Sequence, residues 1–287
     1  MNVQILARGD VALAGRTPPP QVDFLEVGAG PAVILVHSSV LGARQWRRLM
    51  DDLKSDFHVR AVNLFGYGKT APWPNERPQT LDDQARLVEA AIPPGADRIA
   101  LVGHSFGGAV AMRTAARLGR RVAKLVLLEA NPFHLLKQAG RRDAFAEAAA
   151  LRNLVKTCGA ANDWSKAAEG FADYWNGPGS WMAMSVERRA AFAESIKPNF
   201  FEWDAVMDQT RIEEWTRQLP AQTLVVSDPS TVRPARELTE IFHGAFPHWT
   251  FKEVPAGGHI APLTRPDLVN PIVGSFLRAP PVDTPPH

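Results

Sequence analysis

Gly103-His104-Ser105-Phe106-Gly107, followed directly by Gly108, is the segment that most restricts what this chain can fold into. It spells G-x-S-x-G between two unlike neighbours. Residues 98–102 (Arg-Ile-Ala-Leu-Val) form a short, mainly apolar run that reads as a buried strand. Residues 109–118 are rich in alanine and read as a helix. Strand, sharp turn, serine and helix are the setting in which a serine is held in strained backbone geometry. The turn admits only small neighbours, which accounts for glycine two positions before and two after. It leaves the hydroxyl exposed at the carboxyl edge of a sheet, placed to act as a nucleophile.

The flanking chain alternates in the same way. Strands are expected at 22–27, 32–36, 58–62, 124–128, 223–226 and 250–254. Helices are expected at 45–53, from Thr80 onward, at 235–242 and at 266–277. Thr80 with Asp83 resembles a capping box. Strands that are apolar almost throughout, alternating with helices, predict an α/β fold: a doubly wound, mostly parallel sheet covered on both faces. The alternation stops between residues 132 and 220. That stretch of roughly 90 residues is too long for a loop and is helical in pattern. The expected division is a core of 21–131 and 221–278, an inserted cap or lid at 132–220, and a disordered proline-rich tail at 279–287. Thr17-Pro18-Pro19-Pro20 reads as a stiff leader, and no internal repeats are evident.

Composition excludes several classes of function. The net charge is +2, too small a field to argue for nucleic acid. No apolar run approaches a membrane span, and residues 1–16 lack the pattern of a signal peptide. With a single cysteine, Cys158, no intrachain disulfide can form. A cytoplasmic protein is expected, acting on a small-molecule substrate, with no membrane or nucleic-acid partner; a homodimer is compatible with this composition. The histidines are scattered without metal-ligand spacing, so no metal is expected. Phe65 to Thr70 is glycine-rich but lacks phosphate-loop spacing, and no cofactor is implied.

A serine hydroxyl needs a base. Of the eight histidines, His259 has the best context: it follows an expected strand, on a loop opened by Gly257-Gly258, and comes after the serine in chain order.

Four segments now carry a resemblance: V-I-L-V-H-S-S at 33–39, A-V-N-L-F-G-Y-G-K-T at 61–70, G-H-S-F-G-G at 103–108 and P-A-G-G-H-I-A-P-L-T-R-P-D at 255–267. The chain resembles the α/β-hydrolase superfamily over nearly its whole length after residue 20. The resemblance implies a Ser105–His259 pair and an oxyanion hole from the backbone N–H groups of Phe106 and Ser39. Ser38 stands where the family usually has glycine, and the Ser39 hydroxyl is free to add a contact to substrate. His37 is expected to order its loop rather than do chemistry, and Asn63, where relatives often carry Asp, to bond the turn backbone.

The acid has two candidates. Many relatives place it after the penultimate strand, typically as Gly-x-x-Asp. Here that stretch is Ser227-Asp228-Pro229-Ser230-Thr231, without the glycine, and Asp228 falls early. Some branches instead use a glutamate one strand earlier, where this chain has Glu129. Glu129 is preferred, half-buried and therefore in need of a partner; Asp228 is the alternative, its other role being a turn residue before proline.

The expected activity is that of a cofactor-free serine hydrolase. It would cleave a small to medium apolar carboxylic ester through an acyl-enzyme, under a lid rich in aromatics. Most of these aromatics pack the lid; Phe133 and Trp175 are the candidates for substrate contact. C–C bond hydrolases, lactonases, thioesterases and perhydrolases share this machinery. A C–C hydrolase would want a cation for a substrate carboxylate, for which Arg188, Arg189 and Lys197 are candidates. A non-catalytic small-ligand receptor is the rival from outside the enzymes.

Overall fold

The computed structural model describes residues 21–207, 217–255 and 257–280. The proline stretch at 17–20, part of the segment expected to form a lid (208–216, with Trp215) and the tail from 281 onward lie outside them.

Among the described residues seven strands form one sheet: β1 (Phe24–Val27), β2 (Ala32–Val36), β3 (His58–Val62), β4 (Ile99–His104), β5 (Val122–Leu128), β6 (Thr223–Ser227) and β7 (Thr250–Glu253). Their order is β1-β3-β2-β4-β5-β6-β7. Only β1 is antiparallel to its neighbour. The doubly wound, mostly parallel α/β sheet expected from the alternation is present.

Each central strand is buried on both sides, and its side chains divide by parity. Ile34 and Val36 join the apolar cluster on one face, Val33 and Leu35 that on the other. Helices α2 (Leu81–Ala90) and α3 (Phe106–Leu118) cover the first face. Helices α1 (Arg47–Leu53) and, near the end of the chain, Pro266–Arg278 cover the second. The expected capping box starts α2: Thr80 Oγ1 accepts from Asp83 N, and the Asp83 carboxylate accepts from Thr80 N. The helix expected from residue 45 instead opens as a 3₁₀ turn, Ala43–Trp46, because Ala43 N is held by Asn63 Oδ1 at 2.8 Å.

Between β5 and β6 the chain builds α4 (His134–Gln138), α5 (Arg142–Ala160), α6 (Trp164–Asn176), α7 (Val186–Ser195) and α8 (Asn199–Met207). After β6 come α9 (Arg233–Ala245), the short α10 (Ala261–Thr264) and α11 (Pro266–Arg278). Leu151, Val155 and Trp203 from the inserted helices share one contiguous apolar cluster with Val36 and Leu127 of the sheet. Among the described residues no helix is long and apolar enough to cross a membrane.

Candidate active site

Strand β4 runs straight into α3 through Ser105. The serine backbone sits at φ 54°, ψ −120°, a region L-residues rarely adopt. Neighbouring hydrogen bonds over-determine it: Ser105 N donates to Leu128 O on β5, and Gly108 N returns to Ser105 O, each at 2.9 Å. A Cβ on Gly103 would strike the Gly107 backbone, and one on Gly107 the carbonyls of Val36 and His37. The small-residue rule read from the sequence thus follows from the close approach of α3 to β2 and β4. Ser105 itself is only 4% exposed, not open at the sheet edge, because α6 and α7 roof it.

His259 meets this serine from the loop after β7. Its Nε2 lies 2.8 Å from Ser105 Oγ, and its Nδ1 lies 3.1 Å from Glu129 Oε2. Glu129 stands one residue past β5 and is fully rather than half-buried, at 5% exposure. Its lone pairs are used: Oε1 accepts from Asp228 N at 2.7 Å, and Oε2 accepts from Thr231 Oγ1 at 2.7 Å as well as facing the imidazole. Three donors on one carboxylate are what a buried anion requires.

The alternative acid does something else. Asp228 accepts from Ser230 N, Ser230 Oγ and Gly258 N at 2.6–2.7 Å. Burial pushes its carboxyl up, but these bonds outweigh burial and hold it below the usual range. Asp228 thus fastens the loop that carries His259 and makes no bond to the ring. Thr231, nearer the position where the acid was expected after β6, donates to Glu129 instead.

His37 and His104 hold loops in place. His37 places Nδ1 2.7 Å from Ser38 O, while its Nε2 accepts from Leu64 N at 3.1 Å. Burial depresses it to about 4, so the ring is neutral. His104 lies 2.9 Å from Gln45 Nε2 through Nδ1, and 2.8 Å from the His259 carbonyl oxygen through Nε2. Burial, then the neighbouring His259, lowers it to about 3. Gln45 Oε1 in turn accepts from Ser38 N at 3.0 Å. One relay of polar groups therefore ties the His259 loop to the loop after β2.

That second loop carries Ser39. The backbone N–H groups of Ser39 and Phe106 make no hydrogen bond among the described residues. Val40 is held at φ 75°, strained for a β-branched residue, with its N–H donating to Tyr67 Oη at 2.9 Å. The Ser39 hydroxyl is not free for substrate. It donates to Glu202 Oε2 at 2.5 Å and accepts from Asn199 Nδ2 at 3.1 Å. Glu202, on α8, also accepts from Tyr67 Oη at 2.9 Å. Burial raises its carboxyl above the ordinary value, against the pull of these donors.

Ser105 lines a larger space and a smaller one. The larger, about 460 Å³, is lined by Leu41, Phe171, Trp175, Met184, Phe192 and Leu263 among others, with Arg188 also in its lining. The smaller, about 10 Å³, lies among Phe133, Asn131, Trp203 and Glu202. Of the two aromatics singled out from the sequence, Trp175 stacks on the His259 ring, centroids 3.8 Å apart and 25° from parallel. Phe133 is 1% exposed and stacks on Trp203. Trp164, Phe200 and Phe201 line a different cleft. Lys197 lines that cleft too and pairs with Glu194, while Arg189 lies over Trp181.

Sequence reasoning missed Asn131, whose Nδ2 donates to Ser105 Oγ at 3.1 Å, and the Glu202–Tyr67–Asn199 cluster. Asn131 stands two residues past Glu129, which is a usable signal; nothing in the local sequence marks Glu202 as buried. The Asn63 side chain bonds not the backbone of its own turn but Ala43 N, at the start of the 3₁₀ turn, and the Asp23 carboxylate. Among the described residues no group of three or more His, Cys, Asp or Glu is placed to hold a metal ion.

A pimeloyl-[acyl-carrier protein] methyl ester esterase of Vibrio atlanticus is 35% identical over 105 residues, 37% of this chain and 38% of that protein. A 2-hydroxy-6-oxo-2,4-heptadienoate hydrolase of Pseudomonas putida is 35% identical over 130 residues, 42% of this chain and 44% of that one. The chain thus aligns with less than half the length of either curated relative. Among solved structures, a hydrolase from Pseudomonas aeruginosa PA01 superposes with TM-score 0.71 at 20% identity, over 90% of this chain and 94% of that one, a likeness of fold. The model of the alpha/beta hydrolase family matches residues 33–272, and the chain belongs to that family.

Proposed function

We propose that this chain is a serine hydrolase that cleaves a small to medium apolar carboxylic ester through an acyl-enzyme, without a cofactor. One observation carries the reading: the His259 ring lies within hydrogen-bonding distance of Ser105 on one nitrogen and of buried Glu129 on the other. Ser105 Oγ attacks the ester carbonyl carbon as His259 Nε2 removes its proton. Glu129 holds Nδ1–H and stabilises the imidazolium that forms. The Ser39 and Phe106 amides take the oxyanion. His259 then protonates the departing alcohol, and water, deprotonated by the same ring, cleaves the acyl-enzyme.

The helices at 132–220 act as the lid over a core of 21–131 and 221–278, and the aromatics of α6 and α7 select chain length. An esterase and a C–C hydrolase both stand among the partial relatives. The ester reading is favoured because Arg188 is exposed at the wall of the large cleft and, among the described residues, no Lys or Arg lines the inner chamber. The single free cysteine, Cys158, is buried and suits a reducing compartment, and we place the protein in the cytoplasm. The test is turnover of p-nitrophenyl esters of graded acyl length. Ser105→Ala should lose several orders of magnitude in kcat while staying folded. No turnover of any activated ester would favour a ligand-binding role instead.

A further inference from the structure

The small chamber beside Ser105 is walled by groups whose hydrogen-bonding capacity the protein leaves unused. Asn131 Oδ1, Asn199 Oδ1, Trp175 Nε1 and Trp203 Nε1 are buried and make no hydrogen bond among the described residues. All four residues line this one chamber. A buried polar atom without a partner destabilises a fold, so native proteins hold few of them. Two acceptors and two donors gathered around one space beside a nucleophile are accounted for if a ligand completes them.

The orientation of Asn131 follows from its neighbours. With the Ser105 hydroxyl proton directed to His259, Oγ can only accept, so it takes the amide N–H and leaves Oδ1 unused. The remaining wall sets the charge of the ligand. Among the described residues it includes the Glu202 carboxyl and no Lys or Arg, so an anionic group there would meet a carboxyl and none of their cations. At about 10 Å³ the space takes one group of the size of a water molecule. Because Ser39 and Phe106 line it too, the group lies next to the carbonyl under attack.

On the hydrolase reading above, we propose that this chamber receives the 2-hydroxyl of a 2-hydroxyacyl group, the rest of the acyl chain lying toward the large cleft, and selects that hydroxyl over a methyl group in its place. The substrate's hydroxyl donates to an asparagine Oδ1 and accepts from an indole N–H, which a methyl group in its place cannot do.

The experiment compares phenyl glycolate with phenyl propionate, whose acyl groups differ by hydroxyl against methyl. Each kcat/KM is divided by the ester's hydroxide-catalysed rate constant, which removes the inductive difference. The normalised preference for glycolate should be at least about tenfold, since a site built for a hydroxyl leaves its own groups unpaired with the methyl analogue. Trp203→Phe, which keeps a stacking ring and removes the N–H, should lower that preference about fivefold; Trp175→Phe serves as an independent second variant. Equal rates, a preference for propionate, or a preference that survives in both variants would overturn the inference. If a fluorophosphonate labels Ser105 but neither ester turns over, the inference alone falls. If Ser105 is not labelled and no ester of any acyl group turns over, the hydrolase reading falls and takes it along.

Discussion

Three residues around the site sit at positive φ without being glycine: Val40 at 75°, Ser105 at 54° and Glu129 at 48°. Each is pinned by a backbone bond, to Tyr67 Oη, Leu128 O and Val226 O respectively. Strain of this kind costs on the order of 1–3 kcal/mol per residue and persists only where the surroundings enforce it. Ser105 was legible because its glycine neighbours announce the turn. The preference for Glu129 over Asp228 was legible for a weaker reason, the missing glycine after β6. The bonds that divide the two roles run between segments far apart in sequence, so no local pattern records them. In a serine protease, removing the charge of the carboxylate that orients the imidazole costs about 10⁴ in kcat. Glu129→Gln should therefore lose activity of that order, and Asp228→Asn less than about tenfold, both read from steady-state kinetics. The reverse ranking would make Asp228 the acid.

Elements were easier to read than their junctions. The parity of buried strands and the capping signal at Thr80 are local, and those elements stand where the sequence put them, within a residue or two. Lys124 shows the limit. It interrupts an apolar strand, and the reason lies at the other end of the core, where its Nζ donates to the carbonyls of Phe276, Leu277 and Ala279 and closes the end of α11. The join between α8 and the core was illegible for the same reason. It is polar: Glu202 takes bonds from Ser39 and Tyr67, while Tyr67 holds Val40. Tyr67→Phe would leave Val40 N–H and one Glu202 oxygen without this partner. The expected cost is about 1–3 kcal/mol by denaturant unfolding, together with a fall in kcat larger than the rise in KM. An unchanged kcat would show that the loop after β2 keeps its shape without this strut.

Over the whole molecule the buried titratable groups pull stability in opposite directions with pH. His37 and His104 are held neutral in the fold, at about 4 and about 3. The unfolded chain protonates them near 6.5, so it binds more protons as pH falls and stability drops across that window. Asp228, held below its ordinary value, adds stability that is lost at still lower pH, as pH falls through its folded value. Glu202 is raised and acts in the opposite sense: the fold favours its protonated form, and its contribution declines as pH rises through the folded value. The two histidines outweigh one carboxyl, so Tm should fall by about 5 °C or more from about pH 6.5 to about pH 4.5. Scanning calorimetry checks this, and a flat profile would mean that these rings are not buried neutral.

Ser105 is buried under α6 and α7, yet the 460 Å³ cleft opens onto it. The most direct measurement is therefore covalent: react the intact protein with a small fluorophosphonate and locate the adduct by peptide mass spectrometry. A single adduct on the peptide containing Ser105, absent from Ser105→Ala and formed far more slowly in Glu129→Gln, is the expected result. An adduct that persists in Ser105→Ala, or no adduct on the unaltered protein, would contradict a serine nucleophile at this position.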